Sequence, residues 1–121
     1  MNTQDAVSQL CKTLAAKVVE FGQLGEVAAD AEVDWKVARD VRKLLAKDSG
    51  EAKTEAAADS IATADPDVAA LWRASLHATS HFVACREAIR SLHARIEVGR
   101  SKISTERTAD SLHSQGYSGA A

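Results

Sequence analysis

An all-α fold is what this 121-residue sequence predicts, on three observations. The 45% apolar share is rich in alanine and includes only five aromatic residues. Six glycines and one proline are too few for the turns of an all-β chain. Apolar residues also recur every seven positions along most of the length, the period of a coiled-coil seam. The length allows one domain. The expected form is a long antiparallel helical hairpin, coiled-coil-like, occupying residues 1–104 and assembling into a multi-helix bundle.

The first helix is expected over about residues 3–47. Val7, Leu14, Phe21, Ala28 and Trp35 mark its seam, completed by Leu10, Leu24, Ala31, Ala38 and Leu45. Lys17 interrupts this pattern, and Val18 beside it is expected to substitute. Gly22 and Gly25 each weaken a helix by about 1 kcal/mol relative to alanine, so they mark a bend or a close helix contact. Residues 48–50 read as the turn. Asp48 and Glu51 have the spacing of a capping box for the helix that follows.

The second arm is expected over about residues 50–104. Val68, Ser75, Phe82, Ile89, Ile96 and Ile103 recur at heptad spacing, with Leu71, Ala78, Cys85, Leu92 and Gly99 three positions after the first five. Asp65-Pro66-Asp67 has the form of a helix start: an Asp cap, proline at the first helical position and an acid in the first turn. The same register nevertheless runs back through Thr54, Ala57, Ile61 and Ala64. The arm is therefore one helix kinked near Pro66 or two stacked end to end, with a clean break into three helices as the alternative. Folding at residue 49 sets position i against roughly position 98 − i. Phe21 then faces Ala78, Val7 faces Leu92, and the second arm overhangs the first from Ile96 to Ile103. Residues 105–121 lack periodicity and read as a flexible tail.

A two-helix seam leaves apolar side chains outside it. Trp72, Leu76 and Val83, together with Ile96 and Ile103 on the overhang, are expected to form an oligomer or partner interface. Val19 and Val41 also lie off the seam. The net charge of −2 argues against a generally basic nucleic-acid binder. Its distribution is uneven, with 8 Lys/Arg against 13 Asp/Glu over residues 1–72 and 7 against 4 beyond. Arg86, Arg90, Arg95, Arg100 and Lys102 concentrate the positive charge of the second half. They are the candidate contacts to nucleic acid or an anionic partner. Glu87, Glu97 and Glu106 dilute them, and no aromatic residues are interleaved for base stacking.

His77, His81 and Cys85 follow one another at i, i+4, i+8. Three ligands along one straight helix cannot surround an ion, since the outer pair stand about 12 Å apart. No metal or cofactor is expected. Cys11 and Cys85 form no C-x-x-C pair and read as free thiols in a reducing cytoplasm. No secretory signal opens the chain and no membrane span is expected. Gly-rich phosphate loops, nucleophile elbows and H-E-x-x-H pairs are missing, so the expectation is a protein that binds and does not catalyse.

The stretches Arg86-Glu87-Ala88-Ile89-Arg90-Ser91-Leu92 and Arg95-Ile96-Glu97-Val98-Gly99-Arg100-Ser101 resemble small helical proteins encoded by tailed phages of bacteria, including actinobacterial ones. Those proteins commonly read as a Lys/Arg-Ala-rich central segment followed by an arginine-rich helix ending in Arg-Ser. The run from Gly50-Glu51-Ala52-Lys53-Thr54 to Asp65 is similar to the central part. The likeness spans about residues 30–103, and Pro66 departs from its uninterrupted helix. It implies a phage accessory protein in the host cytoplasm and transfers no functional residues. The leading expectation is a homo-oligomeric interaction protein that binds a phage or host protein. Alternatives are a nucleic-acid-associated accessory of phage replication or recombination, and an anti-defence protein that sequesters a small ligand.

Overall fold

The computed structural model describes residues 2–120, with side chains over 2–116. The fold is all-α. Helix α1 spans Thr3–Ser49, α2 spans Glu55–Ala64 and α3 spans Pro66–Ala120, and no strand occurs among the described residues. The chain divides into two compact units, Met1–Val19 with Arg86–Ala121, and Glu20–Cys85. In each of them a stretch of α1 pairs antiparallel with a stretch of α3.

The helix boundaries come from local capping chemistry. Asn2 caps α1, its side-chain oxygen accepting from the Asp5 N–H at 2.8 Å. At the other end Gly50 takes φ +82, a conformation that costs a side-chain-bearing residue but not glycine. Its N–H donates to the Lys47 carbonyl at 3.3 Å, and the Ala52 N–H to the Ala46 carbonyl at 3.0 Å. The expected turn at 48–50 therefore begins two residues late, because Asp48 and Ser49 continue α1. The expected Asp48–Glu51 box also gives way to another cap. Thr54 accepts from the Ala57 N–H at 3.1 Å and starts α2.

Of the alternatives at Pro66, the clean break is the one observed. Asp65 is extended (φ −65, ψ 124) and serves two helices at once. Its N–H donates to the Ile61 and Ala62 carbonyls to close α2. Its Oδ1 accepts from the Asp67 and Val68 N–H groups at 2.8 and 3.2 Å to open α3. Proline at the first helical position needs no hydrogen-bond donor, so the break leaves none of these amides unsatisfied.

The unit Glu20–Cys85 holds the three-helix part of the chain. Ala46, Ala52 and Ala58 form its buried cluster, with Ala57 and Ile61 packed against it. Phe21 stacks on Phe82 at 4.5 Å between ring centroids. Gly25 makes room for that ring, since a Cβ there would stand 3.1 Å from Phe82 Cε2. Phe21 thus meets Phe82 and not the expected Ala78. The reason is the later reversal at Gly50–Thr54, because moving the turn along the chain displaces every partner by twice the move. The α1 seam keeps Lys17 half-buried and leaves Val18 exposed, the opposite of the expected substitution. Near its end the seam passes to Arg42 and Ala46, leaving Leu45 exposed.

In the other unit Val7 meets Gly99 in place of Leu92. A Cβ on Gly99 would lie 2.5 Å from Val7 Cγ2, so glycine permits the close approach. Thr3 Oγ1 donates to Glu106 Oε1 at 3.3 Å. The start of α1 consequently covers the stretch expected to overhang, and Ile96 is only 3% exposed. Residues 105–120, expected as a flexible tail, lie in α3, and the chain is exposed from Ser104 to Gly116. Ala121 lies outside the described residues.

Every seam position expected in α3 from Val68 to Ile103 is buried or half-buried. No helix is long and apolar enough to cross a membrane among the described residues.

Candidate functional site

Within Glu20–Cys85, the break at Asp65 opens a notch between helices. A cleft of about 300 Å³ is lined there by Trp35 and Arg39 of α1, Thr63 of α2, and Val68, Ala69, Trp72 and Arg73 of α3. Helical spacing explains the grouping. Trp35 and Arg39 are one turn apart, as are Ala69 and Arg73, so each pair projects from one face of its helix. The Arg39 guanidinium lies 5.0 Å from the Trp35 ring centre, a cation–π contact. Its Nε also reaches Asp40 Oδ1 at 3.2 Å. Trp72 is 46% exposed.

A cluster of ion pairs ties α1 to the connection and to α2. Arg42 bonds Glu51 and Asp65, each at 3.2 Å. Lys43 pairs with Asp59 at 2.7 Å and with Glu55, which Lys47 also holds. Lys43 and Lys47 hold the Glu55 carboxyl down at about 2. Arg42 lowers that of Glu51. Asp65 is lowered first by the Val68 N–H that it accepts, then by the Asp67 N–H and Arg42. Glu51, Glu55, Asp59 and Lys47 are exposed while Arg42, Lys43 and Asp65 are half-buried, and pairs open to water in this way orient more than they stabilise.

The pairs give α2 a defined acid response. A folded pKa below the unfolded one contributes stability that is present above the unfolded value and lost as pH falls through the folded one. For Glu55 and Glu51 the unfolded value is near 4.5. Protection factors across Glu55–Ala64, taken relative to the intrinsic exchange rate at each pH, are therefore expected to fall between pH 4.5 and about 2, ahead of those of α1 and α3. Lys43→Ala should flatten that response, and a titration identical to the parent's would show that these pairs do not hold α2.

A second apolar face lies on the same unit. Val33, Val37, Val41 and Leu44 are 58%, 54%, 49% and 64% exposed. Spaced i, i+4, i+8, i+11, they fall within about 80° of one another around the α1 axis. Their stripe points away from the half-buried positions Ala31, Trp35, Ala38 and Arg42. Of the four, the sequence reading singled out only Val41. The spacing was legible, but it sits outside the heptad frame used to find the seam.

The residues expected at an interface divide. Trp72 and Leu76 are exposed, and Leu76 is 49% accessible. Val83 is half-buried. Ile96 and Ile103 belong instead to the covered seam of the other unit, for the reason of register given above.

In that other unit the basic residues do not converge. At 100° per residue, Arg86, Arg90 and Arg100 lie on one flank of the α3 seam and Arg95 and Lys102 on the opposite one. Glu87 holds Arg90 at 2.8 Å and Arg86 at 3.8 Å, while Glu97 holds Arg100 at 3.7 Å. Arg95 and Lys102 form no ion pair among the described residues. They line a groove of about 500 Å³ with Thr3, Leu10, Val98 and Gly99.

His77 and His81 are exposed and Cys85 is buried, and neither Cys11 nor Cys85 forms a disulfide among the described residues. Among the described residues no three His, Cys, Asp or Glu side chains gather as a metal site would require. Comparison with family models, curated proteins and solved structures finds no match.

Proposed function

We propose that this protein is a non-enzymatic helical interaction protein that works as a homo-oligomer and binds a phage or host protein. The observation that carries the reading is the exposed stripe Val33, Val37, Val41 and Leu44. Four aliphatic side chains in one line on a charged helix are costly to leave in water, and covering them is the usual reason for such a face. Trp72 and Leu76 add exposed apolar surface on α3 of the same unit.

The test is molar mass by light scattering across a hundredfold range of concentration, for the parent and for Val37→Asp/Val41→Asp. The parent should exceed one chain and the variant should be monomeric with unchanged helicity. Exposed positions tolerate such changes in the monomer, whereas unpaired carboxylates buried between copies should weaken association at least a hundredfold, about 2.7 kcal/mol. A parent that stays monomeric throughout and recovers no partner from lysate would refute the reading.

A second reading, a nucleic-acid accessory, draws on Arg95 and Lys102, which lack carboxylate partners beside their groove. It requires binding that falls steeply with salt. With Arg86, Arg90 and Arg100 tied to glutamates on the opposite flank, it is the less supported of the two.

A further inference from the structure

We propose that the cleft at the α2–α3 break is a binding site for a small planar aromatic anion, one ring system bearing a single carboxylate or phosphate group. This inference does not rest on the oligomer reading.

The argument starts from what the cleft presents. Two indoles, Trp35 and Trp72, supply flat apolar surface that matches a ring system. Two guanidinium groups, Arg39 and Arg73, stand at the same cleft, and each suits a carboxylate or phosphate through paired N–H donors. Arg39 meets Asp40 through Nε alone, and Arg73 has no ion pair among the described residues. Elsewhere in this unit Arg42, Lys43 and Lys47 are committed to five contacts with Glu51, Asp65, Glu55 and Asp59, and Lys36 to Glu32. Arg73 is thus a cation left over at an aromatic wall.

Size and charge narrow the occupant. About 300 Å³ is the lower end of the range for small-molecule pockets and admits one ring system with a short substituent. A nucleic-acid strand is disfavoured because residues 20–85 carry 7 Lys/Arg against 12 Asp/Glu, a field that repels a polyanion but tolerates one anionic group at two arginines. A neutral aromatic would leave Arg73 without an anionic partner and Arg39 with Asp40 alone, and an isolated anion would leave the exposed Trp72 indole uncovered. Only a ligand with both features uses the whole lining.

The chain's own chemistry supplies the readout. It contains two tryptophans, and both line the cleft, so its entire indole fluorescence reports on this site. Phenyl phosphate and AMP are the probes, with inorganic phosphate and adenosine as controls for anion alone and ring alone. A saturable fluorescence change is expected with at least one probe, at concentrations tenfold or more below any response to either control. A response to phenyl phosphate alone identifies a single-ring aryl acid, and a stronger response to AMP identifies a nucleotide. Arg39→Gln/Arg73→Gln should weaken binding tenfold or more while circular dichroism stays unchanged. Trp72→Phe, which keeps an aromatic wall, should retain it in calorimetry.

Three outcomes would overturn the proposal. These are no saturable response to either probe up to millimolar concentration, equal responses to probes and controls, or undiminished binding by the double glutamine variant. Dissociation of an oligomer by Trp72→Ala with no ligand response would assign the indoles to contact between copies instead.

Discussion

Replacing Ile96 by alanine should destabilise the fold by about 2–5 kcal/mol, the cost of removing a branched side chain from a packed site that relaxes only partly. Ile96 is 3% exposed and Leu92, one turn earlier, is 6% exposed. Both stand where the start of α1 lies across α3, with Val7 against Gly99. Because that contact forms within one chain, the difference between variant and parent should not depend on protein concentration. Denaturant midpoints at two concentrations a hundredfold apart provide the measurement. A destabilisation that grows on dilution would instead place Ile96 between copies, as an overhanging arm would have it. Leu112→Ala serves as the control, since Leu112 is exposed and its loss should fall within about 0.5 kcal/mol.

The contrast between those two readings of Ile96 shows what the sequence carries. The heptad positions from Val68 to Ile103 were legible because burial repeats with the helix period, and all of them are covered. The Asp65-Pro66 cap was legible for the same local reason, since its hydrogen bonds involve residues two and three positions away. Partners across the seam were not. They depend on where the chain reverses, and Asp48-Ser49-Gly50 is a strong turn signal two residues before the reversal begins. Gly50 does break α1, but the next cap is Thr54, so the connection is longer and every facing pair shifts. The later reversal accounts for the contact of Phe21 with Phe82, four residues beyond the expected Ala78, while Val7 meets Gly99, seven beyond the expected Leu92, and Ile96 is covered.

The aromatic cleft was hidden for a different reason. Trp35 and Trp72 were individually visible, but what joins them is a notch created by the break in the arm, and a continuous heptad pattern through Pro66 conceals that break. Arg39 and Arg73 were lost among the ordinary surface charges of their helices. The stripe from Val33 to Leu44 could have been found by searching for a second helical period beside the seam, because its spacing depends on no tertiary contact.

Ala58→Leu is expected to release α2 while leaving the two long helices intact. Helix α2 has 10 residues, below the roughly 12–15 at which an isolated helix becomes even marginally stable in water. Its helicity therefore depends on docking, and the docking surface is made of alanines. Ala46 of α1 and Ala58 of α2 are both fully buried in one cluster with Ala52. Methyl groups on both sides allow a close approach, and a leucine at position 58 has no space to fill. Overpacking of this kind costs about 1–3 kcal/mol where the backbone can yield. A short helix between two non-helical joints yields by undocking. Gly50–Thr54 and the extended Asp65 are those joints, and the ion pairs of Arg42, Lys43 and Lys47, none of them fully buried, are too weak to hold it alone. Hydrogen exchange should accordingly show protection lost across Glu55–Ala64 and retained in α1 and α3. Ala56→Leu, on the exposed face of the same helix, should leave protection as it was. If both variants behave alike, methyl packing is not what holds α2, and the half-buried pairs of Arg42 and Lys43 would have to bear that load.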